Sequence, residues 1–121
     1  MKINIAILLS IFYIACNTTC LNEIIKEIYS PDEKYKAICF IRNCGATTDY
    51  SYHVSILKKK QVLPNKPGNV FICDSNHVEF TNFRQIKISW KSKNELIIDY
   101  PGSPGIFKKN KSYRNFLIIY R

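Results

Sequence analysis

Five cysteines, two histidines and two lysine runs are the residues of this 121-residue chain whose types could do chemistry. Around His53 stand Asp49, Ser51 and Ser55. Side chains two apart on a strand share a face, so a serine nucleophile and a histidine base could meet there. A hydrolase also needs an acid to orient the imidazole and an oxyanion hole, and no motif signals either. His53 reads more simply as a residue on the wet face of a strand. Cys39-x4-Cys44 with Cys73-x3-His77 offers three thiolates and an imidazole, near zinc-knuckle spacings but matching none closely. The chain has no Gly-rich phosphate loop, paired-carboxylate motif or metallohydrolase spacing, so no catalytic residue, metal ligand or cofactor is expected.

Two candidates for binding remain. Cys44-Gly45-Ala46-Thr47-Thr48 could offer backbone N–H groups and the hydroxyls of Thr47 and Thr48 to an anion, as a nest does; the plainer reading is a bend of small residues. Lys58-Lys59-Lys60 and Lys108-Lys109-Asn110-Lys111 could face lipid head groups, lipopolysaccharide or another anionic envelope polymer, or simply be solvated loops.

Cys16 has a chemistry of its own. Lys2 is followed by a mostly apolar run, Ile3–Ala15, broken by Asn4 and Ser10. That run is shorter than the ~20 residues a membrane span needs and fits a secretory signal. Tyr13-Ile14-Ala15-Cys16 looks like a lipobox, in which the thiol receives diacylglycerol and becomes the first mature residue; Tyr13 stands where Leu is usual. By similarity to Gram-negative lipoproteins, Asn17 implies sorting to the outer membrane, facing the periplasm. Residues 1–15 are then a signal peptide, 16–29 a lipidated tether, and 30–121 a single β-rich domain. The net charge of +9, or +8 once Lys2 leaves with the leader, would invite a nucleic-acid reading in the cytosol. Export argues against that partner, and a Lys/Asn/Ile/Tyr-rich composition accounts for the charge. Lipidation also explains the odd cysteine count: Cys20, Cys39, Cys44 and Cys73 remain for two bridges, with three connectivities open.

The elements that hold these residues read as strands. Leu21–Tyr29 fits either a short helix or a strand. Ser30-Pro31-Asp32-Glu33 supplies a turn. Lys36–Arg42 is apolar on both parities, as a strand covered on both faces would be. After a bend at 43–48, Tyr50–Leu57 alternates, with Tyr50, Tyr52, Val54 and Ile56 predicted inward and Ser51, His53 and Ser55 outward. Lys58–Gly68 is a loop punctuated by Pro64 and Pro67. Asn69–Cys73 is a short strand. Arg84–Lys91 and Glu95–Tyr100 form a hairpin about Ser92-Lys93-Asn94, with Ile86, Ile88 and Trp90 inward. Pro101–Gly105 breaks the chain, and Tyr113–Tyr120 is a last strand. Six or seven short strands and at most one helix predict a mainly β fold, a small antiparallel sandwich or barrel.

SPDEKYKA at Ser30–Ala37, CGATT at Cys44–Thr48, VSIL at Val54–Leu57, GNVF at Gly68–Phe71, Trp90 and the closing IIYR together resemble a family of small bacterial lipoproteins. That family's pattern runs SPDGKYKA…CGATT…VSIL…GNVF…W…Y. Its upstream Cys followed by Asn-Glu-Ile is similar to Cys20–Ile24, so the resemblance implies a Cys20–Cys44 bridge. Cys39–Cys73 is the expected second bridge, although the family generally has apolar or small residues there. Glu33 stands where the family has Gly. The resemblance implies a location and a fold but no activity. The leading expectation is a lipid-anchored, non-catalytic envelope protein that binds or shields something at the periplasmic membrane face. Its rival is an immunity or inhibitor protein against an envelope-acting enzyme, whose target would have to be acidic to complement a +8 chain.

Overall fold

The computed structural model describes residues 20–45, 50–75, 86–100 and 105–121. Within them lie nine strands and no helix. They are β1 (Leu21–Tyr29), β2 (Tyr35–Asn43), β3 (Ser51–Lys58), β4 (Phe71–Asp74), β5 (Lys87–Ser92), β6 (Glu95–Asp99), β7 (Ile106–Lys109), β8 (Ser112–Tyr113) and β9 (Phe116–Tyr120). A five-stranded sheet has the order β1-β2-β3-β4-β7, and a four-stranded sheet the order β5-β6-β9-β8. The two pack as a small sandwich.

The core forms where the inward parities of both sheets meet. Ala37, Cys39, Val54, Ile56 and Phe71 from the first sheet meet Ile88, Leu96, Ile98, Phe116 and Ile118 from the second. Trp90 binds the layers together: its indole Nε1–H donates to the Ile28 carbonyl oxygen at 3.1 Å, which satisfies the ring's polar atom inside apolar surroundings.

The ambiguous Leu21–Tyr29 is a strand. It pairs along its length with β2, with a bulge between Ile24 and Lys26. Leu21–Tyr29, part of the segment read as a tether, is therefore the edge strand of the sheet. The β1–β2 turn is organised by Ser30, whose Oγ donates to Asp32 Oδ1 at 2.7 Å and accepts from the Tyr35 N–H at 3.1 Å. The Ser30 hydroxyl also holds the Asp32 carboxyl below its usual range. Glu33 has φ +57°, a left-handed conformation that glycine takes at far lower cost. This is the position at which the resembling family carries Gly. Glu33→Gly should raise the unfolding free energy by about 0.5–1 kcal/mol, because the strain relieved exceeds the exposed Glu33–Lys59 contact at 3.6 Å. A lower urea midpoint for that variant would contradict the turn geometry.

Three expectations need correction. Tyr50 is half exposed, and only Tyr52, Val54 and Ile56 of its parity enter the core. The opposite face of β3 is not wet: His53 and Ser55 are each 3% exposed. The reason is the 59–70 segment, which folds back over that face and packs Leu63 against Ile38, Phe40 and Leu57. It is strapped down where Arg42 Nη1 donates to Asn22 Oδ1 and Asn65 Oδ1, and where Asn22 Nδ2 donates to the Pro64 and Lys66 carbonyls. Finally, Tyr113–Tyr120 is not one strand. Arg114 and Asn115 form a turn between β8 and β9, and β9 then pairs in parallel with β6, so the second sheet is mixed rather than antiparallel.

Candidate functional site

The cysteines divide into two kinds. Cys20 and Cys44 are bridged, as the resemblance implies. The bridge closes the open end of the β1–β2 hairpin, next to the Leu21–Asn43 pair. Cys39 and Cys73 are free and buried, which overturns the expected second bridge. Strand β3 stands between them, Val54 facing Cys39 and Tyr52 facing Cys73. Two strand spacings of about 4.8 Å exceed the ~7 Å limit for Cα atoms joined by a disulfide. Burial pushes both thiols up to about 12, so they stay protonated and unreactive near neutrality. Maleimide should modify neither thiol in the native protein and both after unfolding, read by peptide mass mapping; a protected pair in the unfolded chain would restore the bridge. With Cys44 oxidised, the Cys39, Cys44, Cys73 and His77 zinc set is not assembled. No group of three or more metal-ligating side chains comes together among the described residues. His77 itself lies outside them, as do Cys16, Thr47, Thr48 and Asp49. Of the candidate nest, Gly45 is described. Its φ is +127°, and its N–H donates to Asn43 Oδ1 at 3.0 Å.

His53 and Ser51 do meet, with Nε2 and Oγ 2.7 Å apart. The Gly68 N–H donates to His53 Nδ1 at 2.9 Å, so the ring proton must sit on Nε2 and point at the serine. That tautomer is the reverse of the one a general base needs to take the Ser51 proton. Ser55 instead accepts from the Asn69 N–H. The imidazole stacks on Phe40, with centroids 5.1 Å apart. Gly68 is obligatory beside it: a Cβ there would lie 2.8 Å from the Val54 carbonyl oxygen and 3.0 Å from His53 Cβ.

Burial, then the charges of Arg42 and Lys108, pushes His53 down from 6.5 to about 4. The unfolded state therefore binds the proton more readily. The stability contributed by the neutral ring is complete above pH 6.5 and is lost as pH falls towards 4. The unfolding free energy should drop by on the order of 3 kcal/mol across that window, and His53→Gln should flatten the profile there. Urea titrations at a series of pH values measure it. An unchanged midpoint between pH 6.5 and 4 would mean that the ring is not held as described.

The two lysine runs have different fates. Lys108 donates to the Gly68 carbonyl oxygen at 3.1 Å. Lys109 donates to the Tyr100 hydroxyl at 3.0 Å and lies over the Tyr100 and Tyr120 rings, so the second run is largely absorbed into the fold. Of the first run, Lys59 turns to Glu33 and lies 5.5 Å from the Tyr29 ring centroid. Lys58 and Lys60 instead line a groove of about 570 Å³, which runs between the 60–67 segment and the β8–β9 turn.

Besides those two lysines, Lys66, Arg114, Tyr35 and Tyr113 line this groove, and no carboxylate does. Its four cations form no ion pair among the described residues. Arg114 is held at φ +53° in the β8–β9 turn, its guanidinium 5.5 Å from the Tyr113 ring centroid. Sequence reading missed Lys66, Arg114, Tyr35 and Tyr113. The one available signal was the Arg114-Asn115 pair, two polar residues interrupting an aromatic and aliphatic run. No family model, curated protein or solved structure matches the chain.

Proposed function

We propose that this chain is an exported protein of a bacterial envelope, acylated on Cys16 and held at the outer membrane facing the periplasm, that binds an anionic partner without catalysing a reaction. The observation that carries the reading is the groove. Four cations converge on it with no acidic residue in its lining, so an anion entering it meets attraction from several sides. Two other features support export. The first fifteen residues have the make-up of a signal followed by a lipobox cysteine, and the Cys20–Cys44 bridge suits an oxidising compartment.

The test is made on the full chain expressed in a Gram-negative host. The mature protein should begin at Cys16 with its sulfur acylated, by mass spectrometry, and Cys16→Ser should leave a soluble protein. A free Cys16 thiol would overturn the anchor. Immobilised protein should retain polyanions, with salt eluting them. Stoichiometric capture of an acidic hydrolase, with no polyanion retained, would replace this reading with that of an inhibitor.

A further inference from the structure

We infer that the groove beside Arg114 is a binding site for an acidic polysaccharide, a chain of sugars bearing carboxylate or phosphate groups; this rests on the anionic-partner reading above. Three observations point to a saccharide. The groove is a concavity of about 570 Å³, the scale of a site for a short segment of ligand rather than the broad, flatter face a protein partner buries. Its lining mixes aromatic and cationic side chains. Tyr35 and Tyr113 offer ring surface to sugar C–H groups, while Lys58, Lys60, Lys66 and Arg114 meet the charges along the chain. Arg114 also presents a planar fork, the geometry that receives a carboxylate or phosphate on two N–H donors.

Arg114 further occupies a conformation that costs every residue except glycine. Strain of this kind gathers at functional sites, because there the side chain is worth more than backbone ease. The backbone alone would favour Gly at this turn.

The position of the tether sets the Lys58 end of the groove away from the anchoring membrane, while Lys66, bonded to Asn22, marks its nearer end. Lys58 pairs with Tyr35 at the turn end of β1–β2, while the Cys20–Cys44 bridge closes the other end. A nine-residue strand puts about 27 Å between the two ends. Only Asn17, Thr18 and Thr19 separate Cys16 from Cys20, a reach of at most about 14 Å. Lys58 and Lys60 thus stand at the end remote from the tether, placed to meet a polymer in the space beyond the lipid.

The experiment uses the full chain in detergent and its Cys16→Ser form, with polygalacturonate as the acidic probe, dextran as the neutral one and phosphatidylglycerol vesicles as the lipid surface. Both forms should bind polygalacturonate and neither should bind dextran. Arg114→Gly separates binding from folding. Its urea midpoint should hold or rise as the turn relaxes, while affinity for polygalacturonate falls about tenfold. Lys58→Glu with Lys60→Glu should abolish binding, and Lys87→Glu, exposed on β5 and outside this groove, should leave it intact. Unchanged affinity in Arg114→Gly and in the double variant would overturn the site. Vesicle binding without polygalacturonate binding would overturn the saccharide while leaving the anionic-partner reading standing. Loss of acylation at Cys16 with polygalacturonate binding retained would do the opposite, removing the anchor and keeping the site.

Discussion

Truncating Phe71 to alanine should lower the unfolding free energy by about 4 kcal/mol, the largest effect of any single substitution considered. Phe71 is fully buried at the start of β4, paired with Val54 on one side and Lys109 on the other. Its ring lies 5.2 Å from Tyr100 and 5.7 Å from Tyr120, so one side chain of the first sheet packs against residues that follow β6 and end β9. Alanine would remove both the transfer free energy of the ring and the support it gives across the layers. The hole would be hard to refill, because Tyr120 is pinned by its hydroxyl, which donates to the Asn110 carbonyl oxygen at 2.6 Å. Phe71→Leu keeps most of the volume and should cost about 1 kcal/mol. Urea unfolding with an unchanged m value reads both. A loss below about 1 kcal/mol in the alanine variant would mean that the sheets do not meet across Phe71.

Removing the Cys20–Cys44 bridge comes next, at about 3.5 kcal/mol for a cross-link spanning 24 residues. The bridge acts where pairing is weakest. Strand β1 is an edge, and its pairing with β2 is interrupted by the bulge between Ile24 and Lys26. In the Cys20→Ser, Cys44→Ser protein, the β1 amides should lose hydrogen-exchange protection first, before those of β2 and β3. Equal protection of β1 in both proteins would show that strand pairing, not the cross-link, holds the edge.

The parts of the fold legible in the sequence are those in which burial follows one local period. The β5 side of the β5–β6 hairpin is the clearest: Ile86, Ile88 and Trp90 alternate with polar residues, and Ser92-Lys93-Asn94 marks the reversal. The double-sided apolar character of β2 likewise reported its two covered faces. For β3 the same logic misled, because polarity is not exposure. His53 and Ser55 look like solvent-facing residues, yet each meets a backbone partner on the 59–70 segment, at Gly68 and Asn69. Composition marks that segment as a loop but says nothing of which surface it covers. Cys39 and Cys73 misled for a topological reason: an even count invites a pair, and only the strand order shows β3 between them. The groove was half visible. Lys58 and Lys60 stood out as a run, but Tyr35 joins them through the β2–β3 pairing and Arg114 only through the packing of one sheet on the other.

The place of β9 has a bearing on biogenesis. It lies between β6 and β8, and its parallel partnership with β6 closes only after the intervening chain has crossed to the first sheet as β7 and returned. The first sheet is complete once β7 has paired, but the second awaits Phe116–Tyr120 to join β6 to β8. Such non-local closure is slow. If the chain is exported as proposed above, that delay is an asset, because a chain that has not yet closed its second sheet remains unfolded enough to be threaded through a channel. The same delay leaves the apolar faces of β2 and β3 uncovered in the meantime, a state prone to aggregation.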